Sequence, residues 1–356
     1  MNGKTIRRSI RLAAFAGAAV GAGACSDSVS PTSLSPRTEP SHAGGGGTSI
    51  IKSMSGLEPL IDGTYNISGP SRISDLGQVV GFSRNSSNEN RAVIWDGSIF
   101  PQDLGTLGGV SSLTRSITPD GSVIVGSATR AGSNTSIPVR WVRLNGAWTI
   151  DELPLSSGAT TCEAVDIGGN GTIVGSCFNG TAQTAVVWRN GVVTELGVGQ
   201  PAAVSNNNQI LVNVSNEPQI WDLRTTPMTV TRLGQLQGNP TTGYDINDAG
   251  DVVGSARFDG PSSHAFLWTA KRGMVELFGS GGDVSAAGIN NAGQIVGTDY
   301  GTGSAHAALW SKGKFYDLGV LPGYGASLGT AINSVGQIVG ASSGTSVLRT
   351  TVWALK

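Results

Sequence analysis

A seven-fold repeat constrains the fold of this chain more than any other feature. A segment like Ile289-Asn-Asn-Ala-Gly-Gln-Ile-Val-Gly recurs along the sequence, and each copy is followed by a tryptophan. A glycine marks the register of the copies, at Gly77, Gly121, Gly171, Gly250, Gly293 and Gly336, with Asn208 in its place in the fourth copy. Successive copies are 44, 50, 37, 42, 43 and 43 residues apart. A nearly fixed period of this length indicates an architecture in which each repeat is one supersecondary unit.

Each copy predicts four short β-strands. Apolar runs rich in Val and Ile are bounded by Gly, Asn, Asp and Ser, a pattern typical of strands joined by tight turns. The marker glycine occupies the place where a type I turn is followed by a left-handed residue, and Asn208 is the next best residue there for a positive φ. A third strand ends at the Trp, and a fourth ends near a Leu-Gly pair such as Leu104-Gly105. Residues 48–356 show no sustained helical periodicity, so the domain is predicted to be all-β.

Seven such units predict a seven-bladed β-propeller of four-stranded antiparallel blades. About 43 residues is the size of a blade, and radial repetition protects the sheet edges. The alternative is an open β-repeat array, which needs capping units. Only three residues follow Trp353, so the seventh copy has no segment for its fourth strand. We predict that residues 49–60 supply this strand and close the ring, because Leu60 lies 13 residues before Ile73, a spacing found in other copies.

The repeats resemble the bacterial HAF extracellular repeats. His264-Ala265-Phe266 carries the three letters of that name. The resemblance covers roughly residues 57–356 through the Ile-Asn-x-x-Gly-Gln-Ile-Val-Gly, Ala-x-Leu-Trp and Asp-Leu-Gly motifs. It implies an exported protein, and it implies no particular reaction or ligand. Copy four departs from the pattern at Asn208 and Val212, and copy two carries an insertion with Trp148.

The N-terminus resembles a bacterial export signal. Basic residues at positions 4, 7, 8 and 11 precede an apolar run at 12–24 that is too short to span a membrane. The run ends in Ala22-Gly23-Ala24-Cys25, which resembles a lipobox, although leucine is usual where Ala22 stands. Ordinary cleavage nearby, giving a secreted protein, is the alternative.

These features divide the chain into three parts. Residues 1–24 are predicted to be a signal peptide, with Cys25 as the lipidated first residue of a cell-envelope lipoprotein. Residues 26–48 are rich in Ser, Pro and Gly and are predicted to be a flexible tether. Residues 49–356 form the propeller, which we expect to be monomeric and to reach the membrane through the lipid anchor only.

The composition argues against several classes of partner. Charged residues make up 13% of the chain and the formal net charge is −1, so nucleic acid is not indicated as a partner. The sequence has no G-x-S-x-G, H-E-x-x-H or P-loop motif. We therefore assign no catalytic residue, no metal ligand and no cofactor.

Two cysteines predict a disulfide. Cys162 and Cys177 are equidistant from the predicted hairpin turn at Gly169-Asn170 and should face each other across two strands. An oxidising compartment favours a bond between them. Two free buried cysteines are the alternative.

The histidines are predicted to have a packing role. The position four residues before each Trp holds Arg91, Ile137, Thr184, Glu217, His264, His306 and Arg349. A position this varied is not a repeated metal or catalytic position, and a zinc site would need further ligands. The acidic segment at 245–251 resembles a calcium loop but is predicted to be a structural turn, because Ala249 stands where a ligand is required.

We expect a binding or scaffold module on the cell envelope, with a glycan or protein ligand. In a propeller, the loops between strands four and one and between strands two and three share one face. Four aromatic residues of these Gly-rich segments are candidate ligand contacts, namely Tyr244, Phe258, Tyr300 and Tyr324. The alternative is an exported lyase or glycosidase, which would need paired carboxylates at the central channel.

The lipid anchor is directly testable. A Cys25→Ser variant should leave the membrane fraction and no longer incorporate labelled palmitate, because the thiol is the site of acylation. Unchanged membrane association and labelling would show that Cys25 is not the anchor.

Overall fold

A computed structural model describes residues 50–60, 67–258, 262–301 and 303–356; Cys25, the signal peptide and the tether lie outside these ranges. The strands are β1 (Ile51–Gly56), β2 (Ser68–Ile73), β3 (Val79–Arg84), β4 (Asn90–Trp95), β5 (Gln102–Asp103), β6 (Gly108–Ile117), β7 (Val123–Arg130), β8 (Ser136–Leu144), β9 (Ala147–Glu152), β10 (Thr161–Ile167), β11 (Ile173–Phe178), β12 (Gln183–Arg189), β13 (Val192–Val198), β14 (Gln200–Val204), β15 (Gln209–Val214), β16 (Glu217–Asp222), β17 (Thr229–Arg232), β18 (Thr241–Ile246), β19 (Val252–Arg257), β20 (Ser263–Thr269), β21 (Gly273–Leu277), β22 (Val284–Ile289), β23 (Ile295–Asp299), β24 (His306–Ser311), β25 (Lys314–Asp317), β26 (Ala326–Ile332), β27 (Ile338–Ser343) and β28 (Leu348–Leu355). One short 3-10 segment, Leu236–Gly238, lies between β17 and β18.

These strands form seven four-stranded antiparallel sheets. Six sheets take four consecutive strands each, from β2–β5 as blade 1 to β22–β25 as blade 6. Blade 7 has the order β26-β27-β28-β1. The seven-bladed β-propeller predicted from the repeats is confirmed. No helix among the described residues is long and apolar enough to cross a membrane.

The ring is closed by the N-terminal strand. β1 pairs antiparallel with β28, from Ile51 opposite Leu355 to Gly56 opposite Thr351. The strand is shorter than the predicted 49–60. The predicted alignment of Leu60 is wrong, because Leu57 occupies the repeated leucine position: its N–H donates to the carbonyl of Thr350 at 2.8 Å, as Leu318 does to Ala307. Closure itself was predicted correctly, with a register error of three residues.

In blades 5, 6 and 7 an Asn of the turn motif joins the turn to the next blade. Oδ1 of Asn290 accepts hydrogen bonds from the backbone N–H groups of Ala292 and Gln294, which holds its own turn. Its Nδ2 donates to the carbonyl of Asn333 at 3.0 Å, and Asn333 repeats the contact to the carbonyl of Ser74 at 2.9 Å. One side chain therefore stabilises the hairpin and the contact between neighbouring blades.

Two repeated glycines are required by backbone geometry. The marker positions all have positive φ, from 61° at Asn208 to 84° at Gly336, as the type I turn predicts. The glycine of the Ile-Val-Gly run lies opposite a β-bulge in the innermost strand. A Cβ at Gly297 would lie 1.9 Å from the carbonyl oxygen of Ser285, so a side chain does not fit there without a shift of the backbone. Blade 4 keeps the bulge with Val212 at this position.

The tryptophans pack between blades, and most of them donate a hydrogen bond to the preceding blade. Five indole N–H groups donate to a backbone carbonyl near the end of the preceding blade's fourth strand, at 2.7–2.9 Å: Trp95 to Glu58, Trp141 to Leu104, Trp188 to Pro154, Trp310 to Phe278 and Trp353 to Leu318. In blade 4, Trp221 instead donates to its own strand's Gln219 at 3.0 Å. The tryptophans thus belong to the core between blades, where aromatic burial contributes strongly to stability.

Cys162 and Cys177 form the predicted disulfide pair. They lie directly opposite each other on β10 and β11, with 4.0 Å between their Cα atoms and their sulfur atoms at bonding distance. On the chain-entropy model, closing a loop of about 15 residues stabilises the fold by about 3 kcal/mol.

The β1–β28 ladder predicts how truncations behave. Residues 48–356 should melt like the chain with its tether. Residues 63–356 should melt at least about 10 °C lower or be insoluble, because five registered pairs at about 1 kcal/mol each are lost and an edge is exposed. Calorimetry of the two truncations tests this, and equal melting temperatures would contradict closure by β1.

Candidate functional site

The centre of the ring holds a group of three charged residues, two buried acids and a partly exposed arginine. Arg72, Asp166 and Asp245 occupy the same repeat position on the innermost strands of blades 1, 3 and 5. Both Arg72 amino groups bond the Asp245 carboxylate, at 3.0 and 3.2 Å. Asp166 lies farther away, with Oδ2 at 3.9 Å from Nη2 of Arg72. We call this group the central triad.

The carboxylates of the triad also bind the backbone of further blades. Oδ2 of Asp166 accepts the N–H of Val204 in blade 4 at 2.8 Å. Oδ2 of Asp245 accepts the N–H of Ile289 in blade 6 at 2.9 Å. Each of these N–H groups adjoins the bulge of its strand, where ladder pairing is interrupted. The triad therefore connects the inner strands of five blades.

The triad contains two acids for one base, and its electrostatics are unequal. Burial raises the pKa of Asp166, and the attraction of Arg72 and the hydrogen bonds to this carboxylate offset only part of that rise. Burial opposes the charge on Arg72, but Asp245 and then Asp166 outweigh it and raise the Arg72 pKa above its usual value. Arg72 therefore stays charged, and the ionised form of Asp166 is disfavoured by its burial.

One mouth of the channel is rimmed by the turns between strands one and two. We call this side the turn face. The cavity above the triad on this side is about 140 Å³, smaller than the 300–1,000 Å³ usual for small-molecule sites. Asp248 joins three turns here, because its carboxylate accepts bonds from Asn206 and Asn291 and its N–H donates to Asn291. The acids of the 245–251 segment thus contact protein donors, in agreement with the predicted structural turn.

The opposite half of the channel is open and polar. This side, the loop face, carries the loops between strands four and one and between strands two and three. Arg115 and Glu163, on neighbouring inner strands, form an ion pair whose side chains keep 33% and 44% of their exposure. Tyr244 on β18 is 39% exposed, and its hydroxyl accepts a bond from Ser255 at 3.1 Å. Solvent reaches side chains of an innermost strand through the channel, so the exposure of these residues indicates that this half of the channel is accessible to solvent.

The predicted aromatic residues do not form one cluster of loop tips. Tyr244 lies within β18 and faces the open half of the channel, not in a loop as predicted. Phe258 packs on His264 with ring centroids 4.1 Å apart, in the loop between β19 and β20. Tyr300 directly follows β23, and Tyr324 lies between β25 and β26 near Gly344. The four residues are thus distributed over blades 5, 6 and 7 of the loop face.

The histidines belong to a repeated cross-strand contact with an acidic residue. Nδ1 of His306 lies 2.8 Å from Oδ2 of Asp317, and His264 makes the same contact with Glu276. At the same repeat position, Arg91 pairs with Asp103, Arg349 with Glu58 and, with the charges reversed, Glu217 with Arg232. The histidines therefore have a structural role, but as polar pairing between strands three and four at a half-exposed position and not as the predicted packing.

The central triad was not found from the sequence. The available signal was its alignment: the residue before the last apolar residue of strand one is Arg72, Ser116, Asp166, Ala203, Asp245, Gly288 and Ala331. Two acids and one base among small residues at an innermost position indicate an ion pair across the channel.

Comparisons with known proteins show the fold. No protein-family model and no curated protein matches the chain. Among solved structures, the β-propeller domain of the Trilobed protease from Pyrococcus furiosus is similar with a TM-score of 0.57 and 12% identity, over 82% of this chain and 93% of that one. TolB from Acinetobacter baumannii is similar with a TM-score of 0.51 and 15% identity, over 80% and 68%. These identities support a common fold and nothing finer.

Some similar structures are much longer. A puromycin-hydrolyzing peptidase from Mycobacterium tuberculosis matches with a TM-score of 0.57 and 12% identity, over 84% of this chain. The chain spans about half the length of that peptidase. The Pyrococcus domain is described as having an open velcro topology, whereas blade 7 here contains both β1 and β28.

Substitutions at the two triad acids should affect the unfolding free energy differently. The raised pKa of Asp166 means that its protonation favours the folded state, a contribution lost as pH rises through that pKa. Asp166→Asn should therefore leave the unfolding free energy at pH 7 unchanged or higher and flatten its dependence on pH. Asp245→Asn should cost about 3–5 kcal/mol, because Arg72 loses its close partner. Denaturant unfolding from pH 4 to 8 checks both, and equal losses at pH 7 would contradict this account.

Proposed function

We propose that this protein is an exported, lipid-anchored binding module of the HAF-repeat class. Its propeller holds a polar ligand, a glycan or a segment of another protein, at the loop-face mouth of the central channel. The supporting observation is the solvent exposure of polar side chains on the innermost strands, namely Arg115 and Glu163 of blades 2 and 3 and Tyr244 of blade 5. A ligand entering there would meet the central triad as the end of the channel.

Several features support this location for the ligand. Tyr244 offers an aromatic ring to a sugar or an apolar side chain, while its hydroxyl is positioned by Ser255. Arg115 and Glu163 lie on neighbouring blades and offer both a donor and an acceptor for hydroxyl or amide groups. Phe258, Tyr300 and Tyr324 extend the loop face outward over blades 5 to 7, so a longer ligand could contact them in turn.

Export is supported by independent features of the chain. The N-terminal segment has the charge and length of a signal peptide, and Cys25 follows small residues as in a lipobox. The Cys162–Cys177 pair fits an oxidising compartment. We propose that the tether at 26–48 separates the propeller from the membrane that holds the anchor.

The binding interpretation is favoured over the enzyme alternative by the state of the channel carboxylates. Asp166 and Asp245 are close enough to share one nitrogen of Arg72, which is the proximity that a glycosidase would need. Both are already engaged by Arg72 and by backbone N–H groups. Such groups act as structural acceptors, whereas a general acid or base needs a position beside the reacting bond.

The test is a glycan and peptide array probed with purified residues 48–356, followed by calorimetry of the hits. Tyr244→Ala should weaken the binding of a ligand at this site by about tenfold or more, as expected for an aromatic contact worth at least about 1.4 kcal/mol. Phe100→Ala is the matched control, since Phe100 is a similarly exposed aromatic in the loop between β4 and β5, on the turn face. Ligands that bind both variants equally would place the site elsewhere, and turnover of a hit would favour the enzyme alternative.

A further inference from the structure

The joint between blades 3 and 4 differs from the regular joints on the turn face. In four joints a Gln after the turn of one blade covers the marker glycine of the next: Gln78 over Gly121, Gln209 over Gly250, Gln294 over Gly336 and Gln337 over Gly77. A Cβ added at Gly250, for example, would lie 3.2 Å from Oε1 of Gln209. The long amide side chain therefore fills the groove between two turns.

Blade 3 has Thr172 where these blades have Gln, and blade 4 has Asn208 where they have Gly. Thr172 is too short to fill the groove, and Asn208 adds an amide to its wall. A cavity of about 230 Å³ results, lined by Asn170, Gly171, Thr172, Arg189, Asn190 and Asn208. The joints between blades 2 and 3 and between blades 5 and 6 also lack the Gln, with Ser122 and Asp251 in its place. The joint between blades 3 and 4 is the one that lacks both the Gln and the marker glycine, and the pocket lies there.

The pocket contains an arginine held by neutral groups. Nε of Arg189 donates to Oγ1 of Thr172 at 3.1 Å, and Nη2 donates to Oδ1 of Asn208 at 2.7 Å. Thr172 in turn donates to the same Oδ1 at 2.9 Å. Among the described residues, no carboxylate lines this cavity. The guanidinium is therefore oriented while its charge is not neutralised.

The remaining donors suit a carboxylate beside hydroxyl groups. Two of the five N–H groups of Arg189 are used, which leaves the terminal nitrogens for a carboxylate, the partner that a guanidinium fork matches best. Asn190 and Nδ2 of Asn208 make no hydrogen bond within the described part of the chain, and amides both donate to and accept from sugar hydroxyls. The volume lies below the usual range for drug-sized ligands, which limits the occupant to about one ring.

We propose that this pocket binds a single uronate unit, the carboxylate-bearing sugar of an acidic glycan. The carboxylate lies against Arg189 and the hydroxyls lie against Asn190 and Asn208. The site is on the turn face, opposite the loop-face mouth, so it stands or falls independently of the ligand proposed there. It makes the joint between blades 3 and 4 a second binding surface.

The experiment is titration of residues 48–356 with D-galacturonate, followed by NMR or calorimetry. We expect saturable binding in the millimolar range, with D-galactose weaker by about tenfold or more because it lacks the charge-assisted bonds. N-acetylglycine, which carries a carboxylate without the ring, should also be weaker by about tenfold. Equal binding of galactose would overturn the role of Arg189, and equal binding of N-acetylglycine would overturn the sugar assignment.

Three variants locate the site. Arg189→Gln should weaken galacturonate binding by about tenfold or more. Thr172→Gln restores the side chain of the regular joints and should abolish binding by filling the pocket while Arg189 remains. Arg257→Gln is the matched control, because it removes the same charge from an exposed arginine at the end of β19 and should change affinity less than about twofold. Unchanged galacturonate binding by Thr172→Gln would overturn the proposal. If Arg189→Gln has a lowered melting temperature, the binding measured for Thr172→Gln is the deciding result.

Discussion

The antiparallel ladder between β1 and β28 is the contact on which the ring depends. It gives blade 7 its fourth strand, so both ends of the repeat region lie in one sheet. The segment that follows β1 also completes the core between blades 7 and 1, because the carbonyl of Glu58 accepts the indole N–H of Trp95. At every other joint, the fourth strand of one blade and the Trp of the next blade follow each other in the sequence. Only this joint requires residues from the opposite end of the sequence.

The repeated motif explains why the fold could be read from the sequence. Each of its residues has a role that ordinary stereochemistry requires, and the same role recurs in several blades. The turn glycine has positive φ, the second glycine admits a bulge, and the Asn and Gln contact the next blade. Blade number, strand order, turn type and the Cys162–Cys177 pairing followed from these patterns. The position of Leu60 did not, because spacing alone cannot distinguish Leu57 from Leu60 without the hydrogen bond to Thr350.

The site residues were harder to predict, because they depend on contacts between non-adjacent blades. Arg72 and Asp245 are separated by 173 positions and meet only because the ring brings blades 1 and 5 to one axis. Tyr244 was correctly singled out as an aromatic residue, but its strand was mistaken for a loop because the bulge in β18 interrupts the alternation of apolar residues. The histidines illustrate the opposite case. Their varied repeat position correctly predicted a structural role, but their acidic partners became evident only from the pairing of strands three and four.

The deviations from the repeat are where chemistry can be introduced without loss of the ring. A turn glycine with positive φ is constrained by backbone geometry, and only at Asn208, where another residue takes the marker position, is a side chain available there for a ligand. The innermost position directly after the bulge carries no such constraint, since it holds Arg, Ser, Asp, Ala or Gly in different blades. There the chain places a triad that connects blades 1, 3 and 5 and ends the channel. At the joint of blades 3 and 4, Thr172 and Asn208 replace two otherwise repeated residues, and Arg189 takes up the hydrogen bonds that their side chains offer. The ring lacks the regular Gln contact at three of its seven joints, and the other joints and the closing ladder still hold it. Binding surfaces are therefore expected at the open channel mouth and at joints where the repeated residues are replaced, and not at joints that keep them.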